Sequence, residues 1–305
     1  MLRFAIDSAL EHDKPSTALR ASFNLADALG QVNRFAEGAE TVRAGLAQAR
    51  RVGNRYWEIS FLGQLYPFLS LGEWDEALAM CAQLPIDDWA SFRQAFATMP
   101  LVEATVLGHR GEVDRVRGML ARFEDMSSSG DEQERSAYRS GLARFHLTSG
   151  NLGEALTDAE DAFASHLHFG FGSEFVKEGF VTAVEAALQL GDSAKAAELV
   201  AVVDALPPGG TNLFLEAQSS RFRAHLVAES DPAEADRLFR RSAGYFRELS
   251  APFPLAVVET EHAELLLAGG GDASELIAEA TSVFERLGAQ PRETLEPGLR
   301  AKVTA

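Results

Sequence analysis

One short turn signature recurs seven times along the chain at a nearly constant interval. Its first residue is small or turn-forming, and a small or apolar residue follows five positions later. The signatures begin at Asn33, Gly72, Gly111, Gly150, Gly191, Ser230 and Gly271, so that successive starts are 39 or 41 residues apart. Self-similarity at a fixed period of this size is typical of repeat architectures. The period therefore predicts a stack of similar units in place of one large globular core.

Each signature lies between two amphipathic stretches. Residues 134–149 precede the signature at Gly150 and residues 151–167 follow it, and apolar residues recur in both at steps of three and four. This is the period of an amphipathic helix, and no alternation typical of a strand persists anywhere. A glycine can close the first helix in the left-handed conformation. We therefore expect each unit to be a hairpin of two helices, each about 15–17 residues long.

Stacked hairpins bury their apolar faces against their neighbours. The predicted fold class is all-α, an α-solenoid of about seven helical hairpins in a right-handed superhelix. Residues 16–288 form the seven hairpins, and residues 289–305 form a C-terminal closing segment. Residues 1–15 form either a half repeat, whose first helix is missing because the chain begins inside a longer array, or an N-terminal cap helix. The apolar Leu2, Phe4, Ala5 and Leu10 favour the half repeat over a cap with a polar outer face.

The small-residue spacing and the GxxxEA turn resemble tetratricopeptide repeats. The usual tetratricopeptide unit is shorter than these hairpins. The period of about 40 residues, the junction ARRVGNRYWE at residues 49–58 and the ending SVFERLGAQP at residues 282–291 are similar to one subgroup. That subgroup comprises the repeat arrays of large bacterial signalling ATPases, which include relatives of LuxR-type and MalT-type transcriptional regulators and of cyclase-linked ATPases. The resemblance covers nearly the whole chain and implies a sensor arm for ATPase and output domains.

The stretch HLHFGFGS, residues 166–173, looks at first like a metal or nucleotide site. No strand precedes it, and Phe175 stands where the third glycine of GxGxxG would be. His166 and His168 are two residues apart, so on a helix they point in different directions. We interpret the stretch as a junction between two hairpins, with phenylalanines packed into the groove between them. The alternative is a ligand contact.

No motif in the sequence indicates a catalytic or metal site. GxxxxGK[ST], HExxH and GxSxG are absent, and the single cysteine, Cys81, excludes an internal disulfide. We expect Cys81 to be a buried structural residue, and we expect Asp87 and Asp88 to cap a helix. The sequence predicts a protein that is not an enzyme and that needs no cofactor.

Binding is the function that the repeat pattern favours. In arrays of this kind, the first helix of each hairpin lines the concave face. The polar residues predicted there are Arg20, Asn24, Asp27, Tyr66, Thr105, Arg144, Glu178, Glu185, Arg221 and His262. We expect Arg144 and Arg221 to hold carboxylates of a ligand, and Asn24 to hold a peptide backbone. The alternative is that these residues only solvate the groove.

The formal net charge of −17 argues against direct binding to nucleic acid or to anionic membranes. We therefore expect the partner to be a protein, a peptide or a small inducer, bound in the cytoplasm. The function predicted is that of a regulatory sensor arm of a larger bacterial signalling or transcriptional-regulator ATPase. The alternative function is a self-contained scaffold or peptide sensor. The sequence leaves open whether the concave groove is free or filled by the chain itself.

Overall fold

A computed structural model describes residues 1–207 and 209–290 of the chain. Within these ranges there are seventeen α-helices, three short 3-10 helices and no strand, which confirms the all-α prediction. The α-helices are α1 Leu2–Glu11, α2 Pro15–Gln31, α3 Phe35–Arg51, α4 Arg55–Leu62, α5 Tyr66–Ser70, α6 Trp74–Cys81, α7 Met99–His109, α8 Val113–Arg122, α9 Glu132–Thr148, α10 Leu152–Ala164, α11 His166–Phe169, α12 Glu174–Gln189, α13 Ser193–Asp204, α14 Leu213–Val227, α15 Pro232–Glu248, α16 Pro252–Ala268 and α17 Ser274–Leu287. The 3-10 helices are Ile86–Ser91, Arg93–Phe96 and Glu124–Ser128.

Every one of the seven turn signatures lies between two helices. The backbone of Gly72, Gly111, Gly150 and Gly191 is left-handed, with φ between 72° and 79°. At most of these turns a backbone N–H donates to the carbonyl five residues earlier, as from Glu112 to Leu107 at 2.8 Å. This bond satisfies a carbonyl that the helix end would leave without a partner. In the last signature the left-handed residue is Gly270, one position before the predicted turn residue Gly271.

The expected helix length of about 15–17 residues is wrong for the second and third hairpins, whose helices have 11 residues or fewer. Helices α10 and α13 are also shorter, with 13 and 12 residues. The first helix of the second hairpin breaks into α4 and α5 between Leu62 and Tyr66. Pro67 has no N–H to continue the helical ladder back to Gly63. Gly63 is also where another segment approaches, because a Cβ placed there would lie 2.1 Å from the backbone oxygen of Ala95. The break therefore follows from a proline and from a close backbone contact.

The connection after α6 also differs from the prediction. Helix α6 ends at Cys81, and two 3-10 helices fill residues 86–96 before α7 begins at Met99. Pro85 precedes the first of these 3-10 helices, and that helix has no side-chain cap. The expectation that Asp87 caps a helix is thus wrong, because Pro85 occupies the cap position. The second hairpin is the most interrupted one, and its residues Gly63 and Gln64 line a surface cleft that is described below.

Most of the apolar core forms one continuous cluster, with members from Leu19 in α2 to Ala289 after α17. Four of the small residues that follow the signature starts by five positions, Ala77, Ala155, Ala196 and Ala235, are completely buried. Helix α1 joins this body through packing on α2, and its Arg3 forms an exposed ion pair with Glu37 of α3. Whether α1 is a half repeat or a cap stays a prediction. Most of the predicted closing segment, residues 291–305, lies outside the described residues.

Helices from the first part of the chain also contact helices from the last part. The side chain of Asn33, in the α2–α3 turn, donates to Asn212 before α14 at 2.8 Å. Arg110 Nε donates to the carbonyl of Leu287 at 3.0 Å, and the N–H of Gln290 donates to the carbonyl of His109 at 2.7 Å. These bonds join segments that lie far apart in the sequence, such as Asn33 and Asn212, which are 179 residues apart.

Candidate functional site

Five of the ten predicted face residues meet inside the protein. With Glu261, they form what we call the buried polar chain: Tyr66, Glu178, Arg144, Glu185, Arg221 and Glu261. The contacts, in order, are Tyr66 Oη to Glu178 Oε1 at 3.0 Å, Arg144 Nη2 to Glu178 Oε2 at 3.0 Å, Arg144 Nη1 to Glu185 Oε2 at 3.3 Å, Arg221 Nη1 to Glu185 Oε1 at 2.7 Å and Arg221 Nε to Glu261 Oε2 at 2.6 Å. A second bond from Arg221 to Glu261 makes that contact bidentate.

The repeat explains why these residues come together. Arg144 lies on α9, Glu185 on α12 and Arg221 on α14, and each of these is the first helix of its hairpin. Residues at matching positions of neighbouring hairpins are 36 to 41 residues apart along these links. Arg144 therefore reaches two carboxylates of the next hairpin, Glu178 and Glu185, both on α12. Arg221 lies between Glu185 on α12 and Glu261 on α16.

Burial strengthens the interactions between the charged side chains of the buried polar chain. Arg144, Glu185 and Arg221 are each 3% exposed or less. Burial alone raises the pKa of the Glu261 carboxyl, but Arg221 and His225 outweigh it and hold that pKa below its ordinary value. Burial, together with the nearby Glu178 carboxylate, raises the pKa of the Tyr66 hydroxyl well above its usual range. Removing one partner of a buried ion pair lowers the free energy of unfolding by several kcal/mol, on the order of 3–5.

The carboxylates that Arg144 and Arg221 hold belong to the chain itself. The expectation that these arginines hold a ligand's carboxylate needs correction, because Glu178, Glu185 and Glu261 already occupy their guanidinium groups. A ligand carboxylate would have to displace one of these side chains. The guanidinium groups of both arginines are therefore engaged by the protein's own ion pairs.

The other five predicted face residues lie in four different places. Thr105 is buried beside the buried polar chain, and its hydroxyl donates to the carbonyl of Leu101 at 2.7 Å. His262 turns away from it, with Nε2 2.7 Å from Asp236 and its ring stacked on Phe239. Arg20 is exposed on α2 and is not among the residues that line the two pockets described below. The two remaining residues, Asn24 and Asp27, line a separate surface cleft.

A pocket of about 300 Å³ opens beside the end of the buried polar chain. We call it the C-terminal pocket. Helices α7, α12, α14, α16 and α17 provide its lining, which is His109, Glu185, Leu188, Gln189, Arg221, His225, Phe253, Val257, Thr260, Glu261, Glu264, Phe284 and Gln290. Hydrocarbon walls with a few charged groups at one side are typical of sites for small molecules. The pocket therefore has the size and the polarity to hold a small amphipathic ligand.

Two features of this region were missed from the sequence. The prediction chose His262 on α16, but Glu261 is the residue that faces Arg221. One helical position corresponds to a rotation of about 100°, so an error of one residue exchanges inner and outer faces. The fully buried Lys177 was missed as well. A lone lysine within the apolar run of α12 is a signal that could have indicated it.

Lys177 ties the first hairpin to the fifth. Its Nζ donates to the carbonyl of Gly30 and to Oδ1 of Asn33, both at 3.1 Å. It also lies 4.7 Å from the ring centre of Tyr66. Burial lowers the pKa of Lys177 from 10.5 to about 8, against the opposing effect of Glu174, Glu178 and Asp27.

The HLHFGFGS stretch lies between α10 and α12, as expected of a junction between hairpins. Residues His166–Phe169 form the short helix α11, and Gly170 follows with φ of 71°. The ring of Phe171 stacks on His166 and contacts Phe163. Phe169 is different, because its side chain is partly exposed at a surface cleft.

Among the described residues, no group of three or more His, Cys, Asp or Glu side chains is arranged to hold a metal ion. Cys81 is buried in α6, and burial raises the pKa of its thiol well above the usual range. None of the helices in the described ranges has both the length and the apolar character that crossing a bilayer requires.

No model of a known protein family matches the chain. No curated protein of known function matches it either.

Proposed function

We propose that this chain is a non-catalytic binding module of tetratricopeptide-like hairpins, in which the C-terminal pocket takes a small effector. The observation that carries the proposal is the position of the pocket. Its lining includes Arg221 and Glu261, the last ion pair of the buried polar chain. An effector bound there contacts a network that extends to Tyr66 in the second hairpin.

The pocket suits a small amphipathic molecule. Leu188, Val257 and Phe284 supply hydrocarbon contacts, and Arg221 and Glu261 supply charged groups. A volume of about 300 Å³ is at the lower end of the range for small-molecule sites. The effector is thus a compact molecule with one polar end.

The mechanism that we propose is a shift between two states of the array. An effector that binds the paired Arg221–Glu261 arrangement better than a separated one stabilises the contacts between the two ends of the array. The coupling is reciprocal, so that any domain or partner that favours those contacts raises the effector affinity. In this proposal the hairpins of the module form a right-handed superhelix, and the contacts between its two ends close it.

The proposed setting is the regulatory sensor arm of a larger bacterial signalling or transcriptional-regulator ATPase in the cytoplasm, with no direct contact to nucleic acid or membrane. The alternative is a self-contained scaffold or peptide sensor. The resemblance of the turns and of the FERLGA ending to such arrays supports the first. An immunoblot of the native host separates the two, since a band far heavier than 33.0 kDa indicates the sensor arm and a band at that mass the self-contained protein.

The test of the effector site uses a pair of matched variants. Leu188 lines the pocket, whereas Leu190, two residues on, is exposed to solvent. A library of small amphipathic fragments is screened by thermal shift against the wild type, Leu188→Trp and Leu190→Trp. We expect fragments that raise the melting temperature of the wild type and of Leu190→Trp but not of Leu188→Trp. Hits that bind Leu188→Trp equally well, or a screen without hits, would overturn the assignment.

A further inference from the structure

A second cavity lies near the other end of the molecule, and we call it the N-terminal cleft. It has a volume of about 500 Å³ and shares no lining residue with the C-terminal pocket. Its walls come from α2, α4, the 3-10 segment near residues 91–98, the start of α9 and residues 169–175. Gly63 and Gln64, between α4 and α5, and residues of the 3-10 segment line the cleft, so the interruptions of the second hairpin form part of its wall.

Side-chain amides line this cleft. Asn24, Gln64, Gln94 and Gln133 all face it, and none of these side chains has a hydrogen-bond partner among the residues that the structure describes. An amide both donates and accepts, which is the pattern that an extended peptide backbone presents in return. Asn24 was predicted from the sequence to hold a peptide backbone, and the cleft gives that residue suitable neighbours.

Two carboxylates, Asp27 and Glu174, also line the cleft. Within the described ranges neither forms an ion pair. Arg93 also lines the cleft, but its guanidinium is paired with Glu134 and Asp125. The hydrogen bonds of Lys177 go to Gly30 and Asn33. Burial raises the pKa of both carboxyls, and the Asp27 charge raises that of Glu174 further. A cation that enters the cleft from outside therefore stabilises the charged form of both carboxylates.

Aromatic side chains at the cleft can hold the stem of a long cationic side chain. Tyr56 is 55% exposed and Phe169 is 37% exposed, and both line the cleft together with Phe23. Methylene groups of lysine or arginine pack on such rings, and a cation near a ring face gains further stabilisation. Phe169 thus gives the HLHFGFGS junction a second role.

We propose that the N-terminal cleft binds an extended peptide segment that carries a lysine or arginine. The cationic group lies at Asp27 and Glu174, the amides hold the backbone, and Tyr56 and Phe169 cover the side-chain stem. The net charge of −17 of the whole chain draws basic segments toward this surface. The site is independent of the proposed effector site, because it rests on different residues.

The probe is an array of immobilised, blocked peptides with randomised flanks and a central lysine, arginine, norleucine or glutamate. The full chain, labelled at its N-terminus, is tested on the array, and dissociation constants of the best peptides are measured by fluorescence anisotropy. Each lysine peptide is compared with its norleucine twin, which keeps the stem and removes the charge. We expect the lysine peptides to bind about tenfold tighter or more, as befits a charge-assisted contact.

Variants locate the contact. Asp27 is exposed on α2. We therefore expect Asp27→Asn to fold like the wild type, as circular dichroism would check, and to lose most of the lysine preference. Glu40 is an exposed carboxylate on α3 away from the cleft, so Glu40→Gln should leave that preference unchanged. An array signal that ignores the central residue, no binding at all, or an equal loss in Glu40→Gln would each refute the proposal. None of these outcomes bears on fragment binding to the C-terminal pocket.

Discussion

Replacing Arg221 with methionine is the sharpest perturbation of the buried polar chain. The arginine is 2% exposed, and its guanidinium contacts Glu185 at 2.7 Å and Glu261 at 2.6 Å. Methionine fills much of the same space with an apolar side chain. The change therefore removes the charge with a small loss of packing, and leaves two carboxylates in the protein interior with one partner fewer.

The expected cost at pH 8 is about 3–5 kcal/mol of unfolding free energy, because removing one partner of a buried pair leaves an uncompensated charge. Most of this cost is the desolvation of Glu261, which loses a bidentate partner. A double variant, Arg221→Met with Glu261→Leu, removes both charges. It should be less destabilised than Arg221→Met alone, since no uncompensated carboxylate remains at that position.

The cost should also depend on pH, with a definite sign. In the wild type Arg221 helps to hold the pKa of Glu261 below its ordinary value, so the stability from this carboxylate is present at pH 8 and persists through pH 5. In Arg221→Met, burial raises that pKa, and the carboxyl takes up a proton in the folded state as pH falls. The destabilisation should therefore shrink between pH 8 and pH 5.

The assay is urea unfolding followed by circular dichroism at both pH values. Arg223→Met is the matched control, because Arg223 lies on the same helix with its side chain 51% exposed. This control should stay within about 0.5 kcal/mol of the wild type, as expected for a surface substitution. A loss below about 1 kcal/mol for Arg221→Met, within the range of exposed pairs, would refute the reasoning. So would a destabilisation that grows as pH falls.

Two further predictions concern the ties between hairpins. Gly63→Ala should cost about 1–3 kcal/mol in the same urea assay, because its Cβ would lie 2.1 Å from the Ala95 carbonyl oxygen. Gly118→Ala, in a helix with open space around it, should be neutral or stabilising, and equal effects of the two substitutions would contradict the close contact. Since the folded pKa of Lys177 is about 8 and its ordinary value is 10.5, the unfolded chain binds more protons between these values and stability rises with pH there. Between pH 8 and pH 10 the wild type should therefore gain roughly 2 kcal/mol relative to Lys177→Met, and an unchanged difference would show that Lys177 keeps its ordinary pKa.

The turns were predictable because they depend on local residues. A glycine at Gly72, Gly111, Gly150 or Gly191 adopts the left-handed conformation that closes a helix, and the pattern repeats at each hairpin. Asn33 carries the same conformation, with φ of 62°, although it is not a glycine. Local chemistry of this kind is visible in a short stretch of sequence.

The contacts between distant segments were not predictable in the same way. Asn33 and Asn212 are 179 residues apart, and Tyr66 and Glu178 are 112 apart. A periodic pattern identifies which face of a helix is buried, but it does not state which distant hairpin covers that face. Arg144 and Arg221 were predicted to line a concave face and to hold a ligand's carboxylates. In the structure both are buried, and their carboxylate partners come from the chain itself.

The interruption of the second hairpin was visible only in part. Pro67 and Pro85 are signals for breaks, and they do stand beside the ends of α4 and α6. The approach of Ala95 to Gly63 is a tertiary contact that no local pattern announces. The N-terminal cleft depends on both, so only Asn24 and Asp27 of its lining were chosen from the sequence.

The most direct test of the account is hydrogen exchange with a fragment bound in the C-terminal pocket. Amide exchange is compared with and without the fragment, in the wild type and in Arg221→Met. The account predicts slower exchange in α14 and α16 and also at Tyr66–Ser70, at the far end of the buried polar chain, with the distant effect lost in Arg221→Met. Protection confined to the helices that line the pocket, or distant protection that persists without Arg221, would contradict it.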